Sequence, residues 1–404
     1  YVRSGLVVAQ VALTLVLLVG AGLLGRSFVR LLSVNPGYRT GGAVVLDLST
    51  PWPETDADAA RQRRFYDELM ARLRIIPGVA NVGGVNAFPL RGGGSNGTFL
   101  VLARPDEKID FSQLATLAKI AERTGTADFR VASEGYFRAM GIPLVRGRLF
   151  DERDGPDAPH VALVSQTLAA KEWPNEEAIG KIIQFGNMDG DLRPFTVVGI
   201  VGDIRDRTLD AEPRPTFYGS SRQRKFSNFS VVTQGTADPA NVIPAARRII
   251  RELAPSVPPR FRMLEEVVST SVAQRRFSLI LLAVFGAAAL LLAMMGVYSV
   301  VAYLVAQREH EIGIRVALGA QRGDVLGLVL RHGAVLTVVG IAVGVVAALW
   351  LTRLLAGLLY GVTPTDPASF ASVVALLLGV ALAASYLPAR RALRVDPASV
   401  LRNG

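Results

Sequence analysis

The sequence predicts an α-helical membrane protein in which one transmembrane helix precedes, and three follow, a large α+β domain outside the cytoplasm. Half of the 404 residues are hydrophobic, a high share for a soluble protein of this length. Four charge-free stretches reach the roughly 20 apolar residues that a hydrocarbon core about 30 Å thick requires. Between the first two stretches, strand-like and helix-like patterns alternate over residues 27–276.

Charged residues border each of the four apolar stretches, as they border transmembrane helices. A single stretch of this kind could equally be a buried core helix, but four of them favour membrane spans. The first is too long for a signal peptide, whose apolar region has about 7–15 residues, and no clear cleavage site follows it. The predicted spans cover residues 4–25, 277–307, 333–351 and 367–389.

The distribution of arginine predicts the orientation of the spans, because short cytoplasmic loops carry an excess of Lys and Arg. Arginines are concentrated between the second and third spans and in the C-terminal tail, whereas Arg353 is alone between the third and fourth. We therefore expect both termini in the cytoplasm and residues 27–276 outside it. Four arginines bordering that domain oppose this orientation, but long domains cross the membrane largely regardless of charge. They are Arg26, Arg30, Arg275 and Arg276.

Two features inside the spans bear on function. Gly340 and Gly344 have the small-xxx-small spacing that lets helix backbones approach closely, so they predict a helix–helix contact. No span contains an internal charge. A carrier that moves ions or polar solutes by alternating access usually needs polar groups near the middle of the membrane, so this pattern argues against such a carrier.

The domain between the first two spans shows a strand–helix–strand pattern twice. Two β-α-β units separated by an insertion resemble a split ferredoxin-like fold. We expect the insertion, residues 97–225, to be mostly β. The first unit is predicted at residues 42–50, 58–75 and 79–87, and the second at 229–233, 239–253 and 260–264. The clearest strands of the insertion are predicted at 161–165, 181–185 and 195–201.

Acidic clusters in this domain do not match a metal site. Asn187, Asp189 and Asp191 alternate as in a calcium loop, but Leu192 and Val198 stand where that loop needs Gly and Glu, so a hairpin turn is favoured. A second cluster, before Gly155 and Pro156, is predicted to be a solvated loop. It comprises Asp151, Glu152 and Asp154.

Other residues give no sign of catalysis. The chain has no cysteine, which excludes disulfides and thiolate metal sites. His160 is predicted in a loop far from the other two histidines, so no metal triad is expected, and Ser165 lacks a nucleophile-elbow context. A phosphate-binding loop is absent from the sequence, so this chain is predicted not to be an enzyme. Its positive charge is scattered, which argues against nucleic acid as a partner.

Residues 308–332, between the second and third spans, form a predicted cytoplasmic loop. One interpretation is an amphipathic segment lying in the membrane interface. The other is a segment that docks on a second protein through Glu309, Glu311 and Arg315, with Ile312 and Val316 packing closely.

Several motifs resemble one protein family. Residues 311–320 (EIGIRVALGA) are similar to the signature of the FtsX-like permeases. The outer domain resembles the MacB-type periplasmic core domain, and residues 388–392 with 396–397 and 400–401 resemble the C-terminus of the family. The matching stretches of the outer domain are residues 35–38, 65–69, 77–79, 131–148 and 197–203.

The resemblance implies a domain organisation. Residues 4–25 would be the first transmembrane helix and 27–276 a MacB-like core domain. Its porter-like part would cover 42–96 and 226–266, and its inserted subdomain 97–225. Residues 277–404 would be the FtsX-like permease domain, with helices at 277–307, 333–351 and 367–389 and a coupling loop at 308–332.

It also implies a function: the permease subunit of an ABC-type transporter in the bacterial inner membrane. ATP hydrolysis by a partner ABC ATPase would move the periplasmic domain (mechanotransmission), for export or efflux, and this chain itself would hold no cofactor. The alternative is a signalling module that regulates a periplasmic enzyme, as in cell-division relatives. Further implied partners are a second permease copy or half and a periplasmic membrane-fusion protein. The coupling residues would be Glu309, Glu311, Ile312, Gly313, Arg315, Ala317, Leu318 and Gly319.

The start of the chain gives one more expectation. It begins at Tyr1 rather than Met, so we expect a fragment or a processed form. Macrolide exporters of this family carry their ATPase before the first span. This chain instead suggests the C-terminal half of a duplicated permease.

Overall fold

A computed structural model of the chain describes residues 2–92, 94–107, 123–186, 189, 191–307, 322–354 and 356–392. The chain divides into two compact units. The helical unit comprises Tyr1–Ser33 and Ala273–Gly404, and the sheet unit comprises Val34–Val272.

The described helices and strands are numbered in chain order. They are α1 (Val2–Leu32), β1 (Ala43–Ser49), α2 (Asp56–Arg74), β2 (Val79–Val85), β3 (Ser95–Leu102), β4 (Thr124–Ala132), α3 (Tyr136–Met140), β5 (Leu144–Gly147), β6 (Val161–Ser165), α4 (Gln166–Glu172), β7 (Ile182–Phe185), β8 (Phe195–Val201), β9 (Thr216–Ser220), β10 (Asn228–Gly235), α5 (Pro239–Leu253), β11 (Arg260–Met263), α6 (Leu264–Ser271), α7 (Ala273–Gln307), α8 (Arg322–Leu351) and α9 (Pro367–Ala392), with a 3-10 turn at Ala356–Leu358.

Four helices of the described residues are long and apolar enough to cross a membrane: Ser4–Leu32, Ala273–Gln307, Gly333–Leu351 and Pro367–Tyr386. Together with the mixed α/β sheet unit, they confirm the predicted fold class. The first helix continues past residue 25, where the sequence predicts the end of the span.

Helix α1 lies against α7, α8 and α9 in the helical unit. Buried residues recur at every fourth position of α1, which places them on one face of the helix. They are Val7, Val11, Leu15, Val19 and Leu23. They form one apolar cluster with residues of the other three helices, among them Val297, Ile341 and Leu377.

Four antiparallel strands in the order β11-β1-β10-β2 make up one part of the sheet, the four-stranded half. Helix α2 connects β1 to β2, and α5 connects β10 to β11, so two β-α-β units interleave. A capping box starts α2: Thr55 Oγ1 accepts from the Asp58 N–H, and the Asp58 carboxylate accepts from the Thr55 N–H. Both helices bury apolar residues against the sheet, including Leu69 and Ile250.

The remaining strands of the sheet close on themselves. Their order is β4-β3-β7-β8-β6-β9, and β9 pairs back with β4 in parallel, which makes a six-stranded barrel. Strand β5 pairs with β8 outside this ring. Five phenylalanine side chains, each at most 4% exposed, are part of the core of this barrel half. They are Phe99, Phe129, Phe185, Phe195 and Phe217, and their ring centroids lie 4.6–6.4 Å apart.

Among the described residues, the strands of the two halves share a single pairing, Val85 with Ala132. Helix α3 packs on β2 beside this junction, and two glycines allow the approach. A Cβ atom at Gly83 would lie 2.1 Å from the Tyr136 nitrogen, and one at Gly135 would lie 2.0 Å from the Val82 carbonyl oxygen. Any side chain at either glycine would push α3 off the sheet.

Candidate functional site

The predicted coupling residues all lie outside the described residues. These are Glu309, Glu311, Ile312, Gly313, Arg315, Ala317, Leu318 and Gly319. The described residues stop at Gln307, the end of α7, and resume at Arg322, the start of α8. The residues between Gln307 and Arg322 therefore connect two of the four apolar helices in the chain.

Gly340 and Gly344 bring α8 against the backbone of α1. A Cβ atom at Gly340 would lie 2.8 Å from Val11 Cβ, and one at Gly344 would lie 3.0 Å from both the Cα and the carbonyl oxygen of Ala12. Ordinary van der Waals contact begins near 3.5 Å, so neither position has room for a side chain. The first helix of the chain is thus the partner of both glycines.

Polar contacts stabilise the packing of α1 on α7. The buried Thr14 hydroxyl lies 2.7 Å from the Gln10 carbonyl oxygen and 3.1 Å from that of Ala289 in α7, so it shares its proton between the two helices. Gly296 leaves room for the Gln10 side chain, since a Cβ atom there would lie 2.6 Å from Gln10 Oε1. The contacts of Thr14 and Gln10 between α1 and α7 use uncharged groups only.

The far end of α1 is held by the connection between α8 and α9. Arg26 forms an ion pair with Asp366, whose carboxylate also accepts a 2.9 Å hydrogen bond from the Ser369 N–H in the first turn of α9. Ser27 Oγ accepts a 2.8 Å hydrogen bond from the Tyr360 N–H. Helix α1 is therefore fixed to α8 along its length and to α9 at its end.

In the sheet unit, Asp189 forms a buried ion pair. This residue belongs to the acidic cluster whose sequence does not match a calcium loop. Asp189 lies between β7 and β8, which pair antiparallel, and its carboxylate receives two hydrogen bonds from Arg224. The Arg224 side chain is fully buried, with its guanidinium 4.4 Å from the Phe195 ring centroid. Asn187 lies outside the described residues. Asp189 thus serves to neutralise a cation in the barrel.

The prediction of a solvated acidic loop is wrong for Asp154. This residue is 3% exposed, and its carboxylate accepts hydrogen bonds of 2.7 and 2.8 Å from the two terminal nitrogens of Arg148. It also accepts from the Asp151 N–H at 3.0 Å. The bidentate guanidinium compensates the burial of this charge. Asp151 is half-buried and Glu152 exposed.

His160 is buried beside the same arginine, with Nδ1 3.3 Å from Arg224 Nη1. Burial, and then the positive charges of Arg193 and Arg224, lower the pKa of His160 to about 4. The ring is therefore neutral at pH 7. Burial alone would raise the pKa of the nearby Asp191, but hydrogen bonds from Arg193 lower it to about 2.

Two further polar residues have structural partners. Ser165 caps α4, since its Oγ accepts from the Leu168 N–H at 3.2 Å, and it also accepts from the Thr216 N–H at 3.0 Å. Arg130 is fully buried in β4 and pairs with Asp206. Within the described parts of the chain, no cluster of three or more His, Asp or Glu residues is placed to hold a metal ion.

Two protein families match the chain. The model of the family described as MacB-like periplasmic core domain matches residues 4–252, and that described as FtsX-like permease C-terminal matches residues 283–397. Among curated relatives, the macrolide export ATP-binding/permease protein MacB of Neisseria gonorrhoeae is 26% identical over 81% of this chain and 54% of its own length. The pyoverdine export ATP-binding/permease protein PvdT of Pseudomonas syringae is 30% identical over 64% of this chain and 40% of its own. The chain spans about half the length of the curated relatives it matches.

Solved structures give weaker matches. The periplasmic region of MacB from Actinobacillus actinomycetemcomitans has a TM-score of 0.37 and 15% identity, covering 60% of this chain and 97% of that one. The extracellular domain of the ABC-type transporter YknZ from Gram-positive bacteria has a TM-score of 0.33 and 16% identity, covering 54% of this chain and 99% of that one.

The contact of α1 with α8 predicts a large effect of a side chain at Gly344. Gly344→Leu should lower the free energy of unfolding by about 1–3 kcal/mol, the usual effect of overpacking, because the side chain meets the α1 backbone. Thermal unfolding of the full chain in detergent measures this. The matched control is Gly379→Leu in α9, where a Cβ atom would meet nothing within 4 Å. Equal midpoints for the two variants would contradict the close contact.

The buried His160 predicts a pH dependence of stability. Its native pKa of about 4 lies below the ordinary 6.5, so between these values the unfolded chain binds more protons than the native chain. The free energy of unfolding should therefore fall as the pH falls from 6.5 to 4, with this histidine contributing at most about 1.4 kcal/mol per pH unit. Denaturant unfolding at several pH values measures the slope. His160→Gln, which keeps an acceptor for Arg224, should remove this contribution; an unchanged slope would contradict it.

Proposed function

The chain belongs to the family of FtsX-like permeases with a MacB-like periplasmic core domain, and from this we propose that it is the permease of an ABC-type exporter. The observation that carries the proposal is the order of the two family matches, a core domain followed by a permease domain, around one plus three apolar helices. ATP would be bound by an ABC ATPase, because these 404 residues contain no phosphate-binding loop.

Export is favoured over other uses of this architecture by the relatives. MacB is named for macrolide export and PvdT for pyoverdine export. Both names describe transport out of the cell by proteins that combine an ATP-binding part with a permease part. We therefore assign export as the direction of transport for this chain.

The packing of the helical unit supports a transmission of movement rather than a solute path. The coupling segment, residues 308–332, leads from the end of α7 into α8. Closure of an ATPase against this segment would displace α8, and the contacts of Gly340 and Gly344 would make α1 follow, since packed helices without space between them move together. Helix α1 leads by the chain itself into the sheet unit. ATP hydrolysis would in this way move the sheet unit.

The proposed setting is the bacterial inner membrane, with both termini in the cytoplasm and the sheet unit in the periplasm. A second permease copy or half would complete the membrane part, and a membrane-fusion protein would extend the path outward. The arginines of the coupling segment and of the C-terminal tail support this orientation.

The coupling proposal predicts that Glu311 and Arg315 bind the ATPase. Glu311→Ala and Arg315→Ala should each weaken binding of the partner ABC ATPase at least about 30-fold, because truncating one member of a buried interfacial charge pair costs about 2–5 kcal/mol. Titration of the ATPase onto the full chain in lipid nanodiscs measures the affinity. Arg353→Ala is the matched control, since this exposed arginine lies at the opposite end of α8. Undiminished binding by both coupling variants would contradict the assignment.

The orientation predicts opposite accessibility of two positions. Because the chain has no native cysteine, Thr236→Cys and Ser399→Cys each introduce one unique thiol. A membrane-impermeant maleimide applied to cells with a permeable outer membrane should label position 236, exposed in the sheet unit, and not position 399. Lysed cells serve as the control, since both positions should then react. Labelling of position 399 in intact cells would refute cytoplasmic termini.

A further inference from the structure

Arginine is concentrated at one end of the helical unit. The end of α1 lies here against the start of α7, since a Cβ atom at Gly25 would lie 3.7 Å from Leu279 Cδ1. Arg26 in turn pairs with Asp366, which directly precedes α9 and belongs to the connection that follows α8. We call this region the arginine end, and its arginines are Arg26, Arg30, Arg275, Arg276 and Arg353.

Carboxylates do not balance the charge of the arginine end. The described part of the helical unit contains two acidic residues, and Asp324 begins α8 at the opposite end. The other, Asp366, is the residue that pairs with Arg26. Three of the arginines are exposed and form no ion pair with any described residue, namely Arg30, Arg276 and Arg353. The arginine end therefore presents a net positive charge.

The orientation rule for membrane proteins does not account for this charge. Short loops rich in arginine favour the other end of the helices as the cytoplasmic one, and the rule concentrates Lys and Arg on that side. Arginines bordering the membrane on both sides instead leave the charge of the arginine end to be explained by what it contacts.

Arg30 lies across the connection between α8 and α9. A Cβ atom at Gly361 would lie 3.3 Å from Arg30 Cδ and 3.7 Å from its Nη1, so the missing side chain leaves room for the arginine. Gly361 has a φ of +65°, which also favours glycine. The hydrogen bond from the Tyr360 N–H to Ser27 Oγ fixes the same connection to α1. The stem of Arg30 is thus packed, while the residue as a whole remains exposed.

Exposed apolar side chains adjoin two of the unpaired arginines in the chain. Phe277 follows Arg276 and is 65% exposed. Trp350 and Leu354, on either side of Arg353, are 71% and 74% exposed. Tryptophan is enriched at the level of the lipid headgroups, where its ring has an apolar and a polar neighbour. The surroundings that suit these side chains are therefore acyl chains next to a polar layer.

The arginines determine which polar group fits. A guanidinium binds phosphate through parallel N–H···O hydrogen bonds, and long arginine side chains near a helix end can extend to the membrane surface. A free phosphate ion would satisfy the guanidinium groups but would leave Trp350 and Leu354 uncovered. An amphiphile with an anionic phosphate and apolar chains matches both kinds of residue.

We propose that the arginine end binds acidic phospholipids, with Arg30 and Arg353 on their phosphate groups and Trp350 and Leu354 against their acyl chains. The bound lipid would hold the ends of α1 and α8 at the membrane surface. The inference does not rest on the proposed function, because the charge and the exposed apolar residues belong to this end in either orientation and without an ATPase.

The first experiment measures lipid affinity for the full chain in detergent. Phosphatidylglycerol and phosphatidylcholine with identical acyl chains are titrated separately, and native mass spectrometry gives the dissociation constants. The parent chain should bind phosphatidylglycerol more tightly. Arg30→Ala and Arg353→Ala should each weaken this binding by up to about fivefold, because one basic residue near the surface contributes about 1 kcal/mol to the attraction of acidic lipids. Binding of phosphatidylcholine should not change.

Two double variants serve as controls. Arg248→Ala with Arg251→Ala removes the same charge from exposed positions of α5 in the sheet unit and should leave both affinities unchanged. Arg30→Lys with Arg353→Lys keeps the charge and should stay close to the parent, which separates lost attraction from lost folding. Glycerol phosphate, the same anion without acyl chains, should not displace the lipid at an equal concentration.

Fluorescence of Trp350 locates the lipid in vesicles. In phosphatidylcholine vesicles, phosphatidylglycerol with brominated acyl chains should quench the parent chain more strongly than brominated phosphatidylcholine at equal mole fraction. Trp350→Phe, compared with the parent, isolates the signal of this residue from the other two tryptophans. Arg353→Ala should remove the difference between the two lipids.

Three results would overturn the proposal. The first is a parent chain without preference for phosphatidylglycerol, as expected if this end binds an acidic protein instead. The second is equal affinity in the Arg30→Ala with Arg353→Ala variant and in the α5 control. The third is displacement of the lipid by glycerol phosphate, which would indicate a site for a soluble anion.

Discussion

The close approach of α1 to α8 is the constraint on which the helical unit depends. Lipid offers apolar side chains no less favourable surroundings than a helix bundle does, so burial alone does not hold membrane helices together. Contact between backbones does, and Gly340 and Gly344 provide it by leaving no side chain between α8 and the α1 backbone at Val8 and Ala12. The buried face of α1 contacts the other three helices. The first helix, distant in sequence from the other three, is therefore the one that organises them.

The elements with strong periodicity were predictable from the sequence. The four apolar helices, the helices and strands of the two β-α-β units and the strands at 161–165 and 195–201 follow patterns that agree with the structure to within a few residues, whereas the interleaving of the two units was not predicted. Strand β4 was not predicted from the sequence. It places Asp128 and Arg130 at buried positions, which breaks the alternation of apolar and polar residues expected of a strand. Closure of the barrel was not predicted for another reason. The parallel pairing of β4 with β9 joins segments about 90 residues apart and depends on tertiary contacts.

The charged residues of the candidate sites also depend on tertiary contacts that the sequence pattern does not predict. The sequence predicts a solvated loop for Asp154 and a hairpin turn for Asp189, because their sequence neighbours are polar. In the fold each is buried against a guanidinium, from Arg148 and from Arg224 respectively. The spacing of Gly340 and Gly344 indicated a contact, but only the packing identifies α1 as the partner. The coupling residues rest on the resemblance and on their position between α7 and α8.

Closure of the barrel has a consequence for the association of one chain with another. A sheet edge with unpaired N–H and C=O groups is a template on which another chain can add a strand, which leads to aggregation. Among the described residues, each of the six ring strands pairs with two other strands of the ring, so the ring itself has no such edge. The four-stranded half ends at β11, which has four residues, two of them arginines, Arg260 and Arg262. A short, positively charged edge repels strand addition. Strand addition is therefore disfavoured at the ring and at β11.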